Sequence, residues 1–239
     1  MGHPSNERGP ILLGGRRVLR QAVLKMGFQK ESDDVSSFER RSSNYEHSYH
    51  QGLFFDRIHR AALGSVPPGA QPDCILDVGC GTGRLLRKAA VRWPKARLLG
   101  VDPAEGMIAE ARRLTPGAGF QVSPAESLPL ADRTIALAFS TVSFHHWQDQ
   151  LQGVKQVARV LRPAGFFVLV DLCLPFGLKR IFIHGRQADP AEVRAMFARA
   201  DLNVLAQRRV MTRFLLVTVG QRMLDPLTTG IQPSEKRPG

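Results

Sequence analysis

The stretch Cys74-Ile-Leu-Asp-Val-Gly-Cys-Gly-Thr-Gly83 decides the fold of this 239-residue chain. A short β-type run, Cys74–Val78, leads directly into glycines at positions 79, 81 and 83, and a helical pattern follows them. Glycine lets the backbone turn sharply and approach a ligand closely, and the N-terminus of the next helix offers free N–H groups. The stretch therefore predicts a ligand site between a first strand and the helix after it.

The spacing of these glycines indicates the class of ligand. A dinucleotide-binding fingerprint needs G-x-G-x-x-G, but its third glycine would fall on Arg84, so the spacing here is G-x-G-x-G. Asp77 also lies at the end of the strand, where its carboxylate would repel a diphosphate and attract a cation. A ligand with an ammonium or sulfonium group fits this loop better than a dinucleotide does.

A second acid, Asp102, ends the next predicted strand, nineteen residues after Gly83. In such folds an acid at this place can accept hydrogen bonds from both ribose hydroxyls. Taken alone, Asp102 could equally be a helix N-cap before Pro103. Together with the glycine loop it favours a ligand that contains a nucleoside.

The remaining pattern alternates short apolar strands with amphipathic helices. Further strands are predicted at 97–101, 120–122, 134–140, 166–171, 203–210 and 214–219, and helices at 45–63, 85–91, 107–114, 150–161 and 190–200. Repeated β-α units with unbroken apolar strands are typical of a parallel sheet that is covered on both faces. We therefore expect an α/β, Rossmann-like, doubly wound fold with a mostly parallel seven-stranded sheet and helices on both faces.

Charge and local composition divide the chain into three parts. We expect a basic, partly helical extension at 1–43, one domain at 44–222 and a disordered tail at 223–239. The net charge is +12, of which residues 1–30 carry +5 and residues 207–239 carry +4. Such basic ends can serve solubility, or they can contact nucleic acid, so charge does not select a function.

Composition excludes several classes of protein. With 43% hydrophobic and 23% charged residues, the chain is typical of globular proteins rather than of disordered, collagen-like or coiled-coil ones. Its longest apolar run, 166–170, is too short to cross a bilayer, and the N-terminus lacks signal-peptide form, so a cytoplasmic location is expected. Three cysteines without CxxC or Cys/His spacing predict neither a disulfide framework nor a metal site.

Five segments in order resemble the class I S-adenosylmethionine-dependent methyltransferases. They are LDVGCGTG, GVDPAEGMIAEAR, PAESLPLADRTIALAFS, FHHW and RVLRPAGFFVLVD. The similarity covers about residues 45–219 and is strongest to the branch of ubiquinone/menaquinone-biosynthesis and other small-molecule enzymes. It implies an enzyme that uses S-adenosylmethionine, leaves S-adenosylhomocysteine, and methylates a small-molecule acceptor.

The resemblance also implies roles around the cofactor. Gly79, Cys80, Gly81 and Gly83 would line its methionine half, and Asp77 would orient its amino group.

The nucleoside half would be held by residues after the second and third strands. Asp102 would bind the ribose with Pro103 beside it, Met107 would pack on the adenine face, and Ala125 with Glu126 would form the adenine edge.

Two further residues are implied, and one departs from the family pattern. Ser140 would lie beside the reactive methyl, and Tyr45 would either close over the cofactor or belong to the core. The family often has Asp just before the Ala-Glu pair, where this chain has Pro124, so adenine recognition would depend on backbone groups and Glu126.

Methyl transfer from a sulfonium needs alignment of the acceptor, and a base when the nucleophile is a hydroxyl. In similar O-methyltransferases a His after the fourth strand and an acid after the fifth, here His145 and Asp171, act as base and orienting carboxylate. Capping or wall packing is the alternative, and either His145 or His146 could face the acceptor. His59, on a polar helix, is expected to have no catalytic part.

The acceptor is the least determined part of the function. The apolar segment 174–189 favours an aromatic, lipidic or natural-product-like acceptor, methylated at oxygen or carbon. Two alternatives stay open: an RNA methyltransferase that uses the basic ends, and a cofactor-binding partner module without transfer activity. The chain has Ser-Thr-Val-Ser after the fourth strand, where nitrogen methyltransferases have an Asn-Pro-Pro-Tyr type of loop.

Overall fold

The structure is a computed structural model and describes residues 49–173, 187, 189–211 and 214–224. The expected N-terminal extension, Tyr45, most of the predicted acceptor segment and nearly all of the expected tail therefore lie outside the described residues. Among the described residues, no helix is long and apolar enough to cross a membrane.

Helices and strands follow one another nearly as the pattern predicts. The helices are α1 (Tyr49–Leu63), α2 (Arg84–Arg92), α3 (Glu105–Leu114), α4 (Gln150–Val160) and α5 (Pro190–Ala198), with a 3-10 turn at Phe144–His146. The strands are β1 (Cys74–Val78), β2 (Arg97–Asp102), β3 (Gly119–Val122), β4 (Ile135–Thr141), β5 (Leu161–Leu172), β6 (Leu202–Val210) and β7 (Leu215–Arg222).

The seven strands form one sheet in the order β3-β2-β1-β4-β5-β7-β6. The first five strands in this order, β3 to β5, pair in parallel, and β7 runs antiparallel between β5 and β6. The predicted fold class is confirmed. The strand order reverses between β1 and β4, which is the place where open α/β sheets bind ligands, outside the carboxyl ends of the strands.

Both faces of the sheet are buried because its central strands are apolar on both sides. In β5, Phe167 and Leu169 pack into one core with α4 and α5, while Val168 and Val170 pack into the other with α1, α2 and α3. All four are at most 2% exposed. Burial on both faces explains why these strands lack the polar alternation of a half-exposed sheet.

The start of β5 differs from the prediction. The sequence predicts a strand from residue 166 because Pro163 and Gly165 follow the helix, but β5 begins at Leu161, which pairs with Ile135. The register then shifts, so that Phe166 pairs with Leu137. Ala164 adopts φ 62°, and the extra residues bulge out of the ladder instead of ending it. Pro163 therefore lies inside β5, and the strand continues through it.

Candidate functional site

A cavity of about 200 Å³ opens where β1, β2 and β4 end. Its walls are the glycine loop after β1, the turns after β2 and β3, the segment 141–148 after β4, and Phe55 and His59 of α1. The cavity therefore lies beside the reversal of strand order, at the edge that the parallel topology makes available to ligands.

Most of the sequence-predicted cofactor residues meet in this cavity. Asp77, Gly79, Cys80, Gly81, Asp102, Pro103, Met107, Ala125 and Glu126 all line it. Gly83 and Ser140 are not among the lining residues. Gly83 backs onto Phe120, whose ring would be 3.0 Å from an added Cβ, and Ser140 is fully buried behind Ser143.

Two of the glycines serve different purposes. Gly79 has φ 74°, and an added Cβ would lie 2.2 Å from Oγ of Ser143, so the loop and the segment after β4 touch there. Gly81 has φ 50°, and an added Cβ would meet nothing within 4 Å. Since Gly81 lines the cavity, the space beside it is available to a ligand.

Asp102 ties the glycine loop to the end of β2. Its Oδ2 accepts a hydrogen bond from the N–H of Gly81 and its Oδ1 accepts one from the N–H of Ala104, both at 2.9 Å. Burial raises the pKa of Asp102, and these two N–H groups oppose the rise. Each carboxylate oxygen can accept a second hydrogen bond, so Asp102 can brace the turn and still bind a ligand hydroxyl.

Asp77 is the most unusual acid in the cavity wall. It is 1% exposed, and its Oδ1 is buried without a hydrogen-bond partner in the described part of the chain. Burial first, and then the neighbouring Asp102, raise the pKa of Asp77 to about 8. A buried carboxylate is costly unless it is paired, so this wall fits a ligand that presents a cationic donor such as an ammonium group.

Part of the cavity wall is apolar and can take a flat apolar group. Met107 is 2% exposed and Ala125 is 6% exposed, and both contribute apolar surface there. Glu126 accepts a hydrogen bond from the N–H of Asp149 at 3.1 Å, which connects the turn after β3 to the start of α4.

The two neighbouring histidines point to different places. His145 is 3% exposed, and its Nδ1 lies 2.7 Å from Oδ1 of Asp171. His146 lines the cavity, whereas His145 and Asp171 are not among the lining residues. Burial, followed by the adjacent His145, lowers the pKa of His146 to about 4, so its imidazole is neutral at pH 7.

Sequence reasoning missed several residues of the cavity wall. Phe55, His59, Val142 and Trp147 all line it. His59 is 5% exposed, and burial together with Lys88 and Arg84 lowers its pKa to about 3. The helical pattern of α1 predicts which of its faces is apolar. It does not predict that His59 will line a cavity together with the glycine loop, which begins 20 residues later at Gly79.

Residues 76–169 match a family model described as a methyltransferase domain. The chain is 41% identical over 101 residues to a malonyl-[acyl-carrier protein] O-methyltransferase of Methylococcus capsulatus, covering 41% of this chain and 36% of that protein. It is 33% identical over 107 residues to a demethylmenaquinone methyltransferase of Chlorobaculum parvum, covering 45% and 44%. The matched part thus spans less than half the length of these curated relatives.

A solved structure is similar over more of the chain. It is a methyltransferase in complex with the Trm112 methyltransferase activator of Haloferax volcanii, with a TM-score of 0.67 and 22% identity. The match covers 78% of this chain and 97% of that one, and at this identity it demonstrates a common fold.

Proposed function

We propose that this chain is a class I S-adenosylmethionine-dependent methyltransferase and that it methylates a small-molecule acceptor bound beside His146 and Trp147. One observation carries the proposal. A single cavity unites a glycine loop, a buried acid with an unpartnered oxygen, Asp102, and an aromatic wall with a neutral imidazole.

S-adenosylmethionine supplies a methyl group on a positively charged sulfur, and S-adenosylhomocysteine remains after transfer. In this proposal Asp77 binds the amino group, because a cationic donor is what its unpartnered oxygen lacks. Asp102 accepts hydrogen bonds from the ribose through its remaining lone pairs. Met107, Ala125 and Glu126 enclose the adenine. Gly83 and Ser140 would act indirectly, through the packing of the loop and of Ser143.

The acceptor side of the cavity supports an apolar or aromatic acceptor. Phe55, Val142 and Trp147 provide apolar walls that exclude water, and His146 provides a neutral nitrogen among them. A neutral imidazole can accept a proton from a hydroxyl, or from an acidic carbon, as the methyl group arrives. We therefore assign proton removal to His146 and propose O- or C-methylation, in line with the O-methyltransferase and the quinone methyltransferase among the relatives.

Binding of S-adenosylhomocysteine is expected to release a proton from Asp77 at pH 7. In the free protein its pKa of about 8 keeps this carboxyl protonated at pH 7, and a bound ammonium group would favour the carboxylate and lower the pKa. Affinity should therefore rise with pH up to about 8. Calorimetry in two buffers with different ionisation enthalpies measures the released proton directly.

Two variants make this measurement specific. Asp77→Asn should abolish the proton release and weaken binding, whereas Asp132→Asn, at a surface ion pair with Arg159, should leave both unchanged. Binding heats of the wild-type protein that are independent of the buffer would contradict the assignment of Asp77.

Label from the methyl group of S-adenosylmethionine should appear in the organic-soluble, small-molecule fraction of a cell extract treated with the protein. The physical reason is the apolar wall around His146, which suits a compact acceptor. Label in a ribonuclease-sensitive macromolecular fraction would instead support an RNA methyltransferase. Tight cofactor binding without any transfer would support a partner module.

A further inference from the structure

The segment that carries His146 begins in a strained conformation. Val142, the first residue after β4, has φ 53°, which a β-branched side chain rarely adopts. Such a conformation is strained and persists only where surrounding contacts enforce it. The β4–α4 segment, residues 142–149, is held by contacts with several elements.

The first residues of the segment are fixed to β1, β5 and α4. Oγ of Ser143 donates a hydrogen bond to the carbonyl of Val78 at 3.0 Å, at the end of β1. The N–H of Val142 donates to the carbonyl of Val170 at 2.8 Å, and Nε2 of Gln150 donates to the carbonyl of Phe144 at 3.1 Å. These bonds orient the entry to the 3-10 turn.

Asp171 holds His145, the residue before His146, through both of its carboxylate oxygens. Its Oδ2 accepts the backbone N–H of His145 at 3.0 Å, and its Oδ1 lies 2.7 Å from Nδ1 of the same histidine. Asp171 is 6% exposed and lies in β5, a strand paired on both sides. Both carboxylate oxygens therefore fix the backbone and the ring of one residue to a rigid strand.

The ring of His145 in turn supports the ring of His146. The two ring centroids are 4.0 Å apart and the planes are tilted by 41°. The buried ring of His145 thus packs against the ring of His146, which lines the cavity. We propose that Asp171, acting through His145, is a positioning residue that holds His146 at the acceptor wall; this inference rests on the proposed function.

The arrangement divides two tasks between adjacent residues. A base must lie within hydrogen-bond reach of the proton it removes, and a small displacement can cost a large part of the rate. His145 is enclosed with its acid and keeps a fixed place, while His146 remains available at the cavity. His145 and Asp171 are therefore assigned to position and orientation, and the proton transfer is left to His146.

The test is the titration of His146 by NMR in protein with labelled histidine rings, its signal identified by its loss in His146→Gln. In the wild-type protein the midpoint should lie near 4. In Asp171→Ala the segment should loosen, His146 should become solvated, and its midpoint should move up toward 6.5. Loss of the negative charge alone would move it down, since Asp171 itself raises the pKa of His146. An upward shift therefore reports release from burial.

Further variants make the result decisive. Asp171→Asn removes the same charge but keeps the volume and one acceptor oxygen, so its midpoint should lie below that of Asp171→Ala. Asp171→Val, whose side chain accepts no hydrogen bond, should also raise the midpoint and serves if the alanine variant does not fold. Asp149→Ala removes the N-cap of α4, a bond to the N–H of Gln152 at 2.9 Å, and should lower stability without moving the midpoint. An unchanged or lowered midpoint in folded Asp171→Ala or Asp171→Val would overturn the proposal.

The affinity for S-adenosylhomocysteine distinguishes a failure of this inference from a failure of the proposed function. Asp171→Asn should bind S-adenosylhomocysteine within about threefold of the wild-type affinity, a difference below about 0.7 kcal/mol, because Asp171 does not line the cavity. A wild-type protein that does not bind S-adenosylhomocysteine would refute the proposed function, whatever the NMR result.

Discussion

Replacing Gly81 by leucine is expected to weaken the binding of S-adenosylhomocysteine by at least about 100-fold, or about 2.7 kcal/mol. Gly81 lines the cavity, and a Cβ added there meets no protein atom within 4 Å, so the new side chain would occupy space needed by the ligand. The protein itself should still fold. The cost is that of a left-handed conformation at φ 50°, about 1–2 kcal/mol.

Gly69→Leu is the matched control for this change. Gly69 has φ 81°, its Cβ would also meet nothing within 4 Å, and it does not line the cavity. The two variants should lose similar thermal stability, and only Gly81→Leu should lose affinity in calorimetry. Equal affinities in the two variants would show that the ligand does not lie beside Gly81.

Gly79 is a poorer position for such a test. A Cβ there would lie 2.2 Å from Oγ of Ser143 and would displace the segment that carries His146. Loss of binding in a Gly79 variant would therefore mix steric exclusion of the ligand with damage to the fold.

Asp102→Ala is expected to lower the affinity for S-adenosylhomocysteine by about ten- to hundredfold. Hydrogen bonds to a charged acceptor contribute about 1.5–3 kcal/mol, and this variant removes those proposed to the ribose. It also removes the acceptor for the N–H groups of Gly81 and Ala104, so part of the effect would come from a loosened glycine loop. Calorimetry measures the sum of the two contributions.

An analogue of S-adenosylhomocysteine that lacks the ribose hydroxyls separates these contributions. If Asp102 binds the ribose, the substitution should weaken the parent ligand more than the analogue. An equal loss for both ligands would mean that Asp102 only braces the turn, as its bonds to Gly81 and Ala104 already do. Thermal unfolding without ligand would then show the full cost of the lost bracing.

The sequence alone was enough to predict the architecture and many of the residues that line the cavity. The glycines at 79 and 81, Asp77 and Asp102 lie within one turn of a strand end, and topology brings such ends to one edge. These contacts depend on short-range backbone geometry, which glycine spacing and strand length specify locally. For that reason a linear pattern of residues sufficed.

Only the tertiary structure decided which of the two neighbouring histidines faces the cavity. His145 and His146 are adjacent, and a 3-10 turn held by Asp171 encloses one and presents the other. The approach of His59, 18 positions before Asp77 in sequence, depends on how α1 packs against the sheet. Many contacts together determine which histidine faces the cavity and how α1 packs against the sheet. No local pattern of residue types specifies all of these contacts.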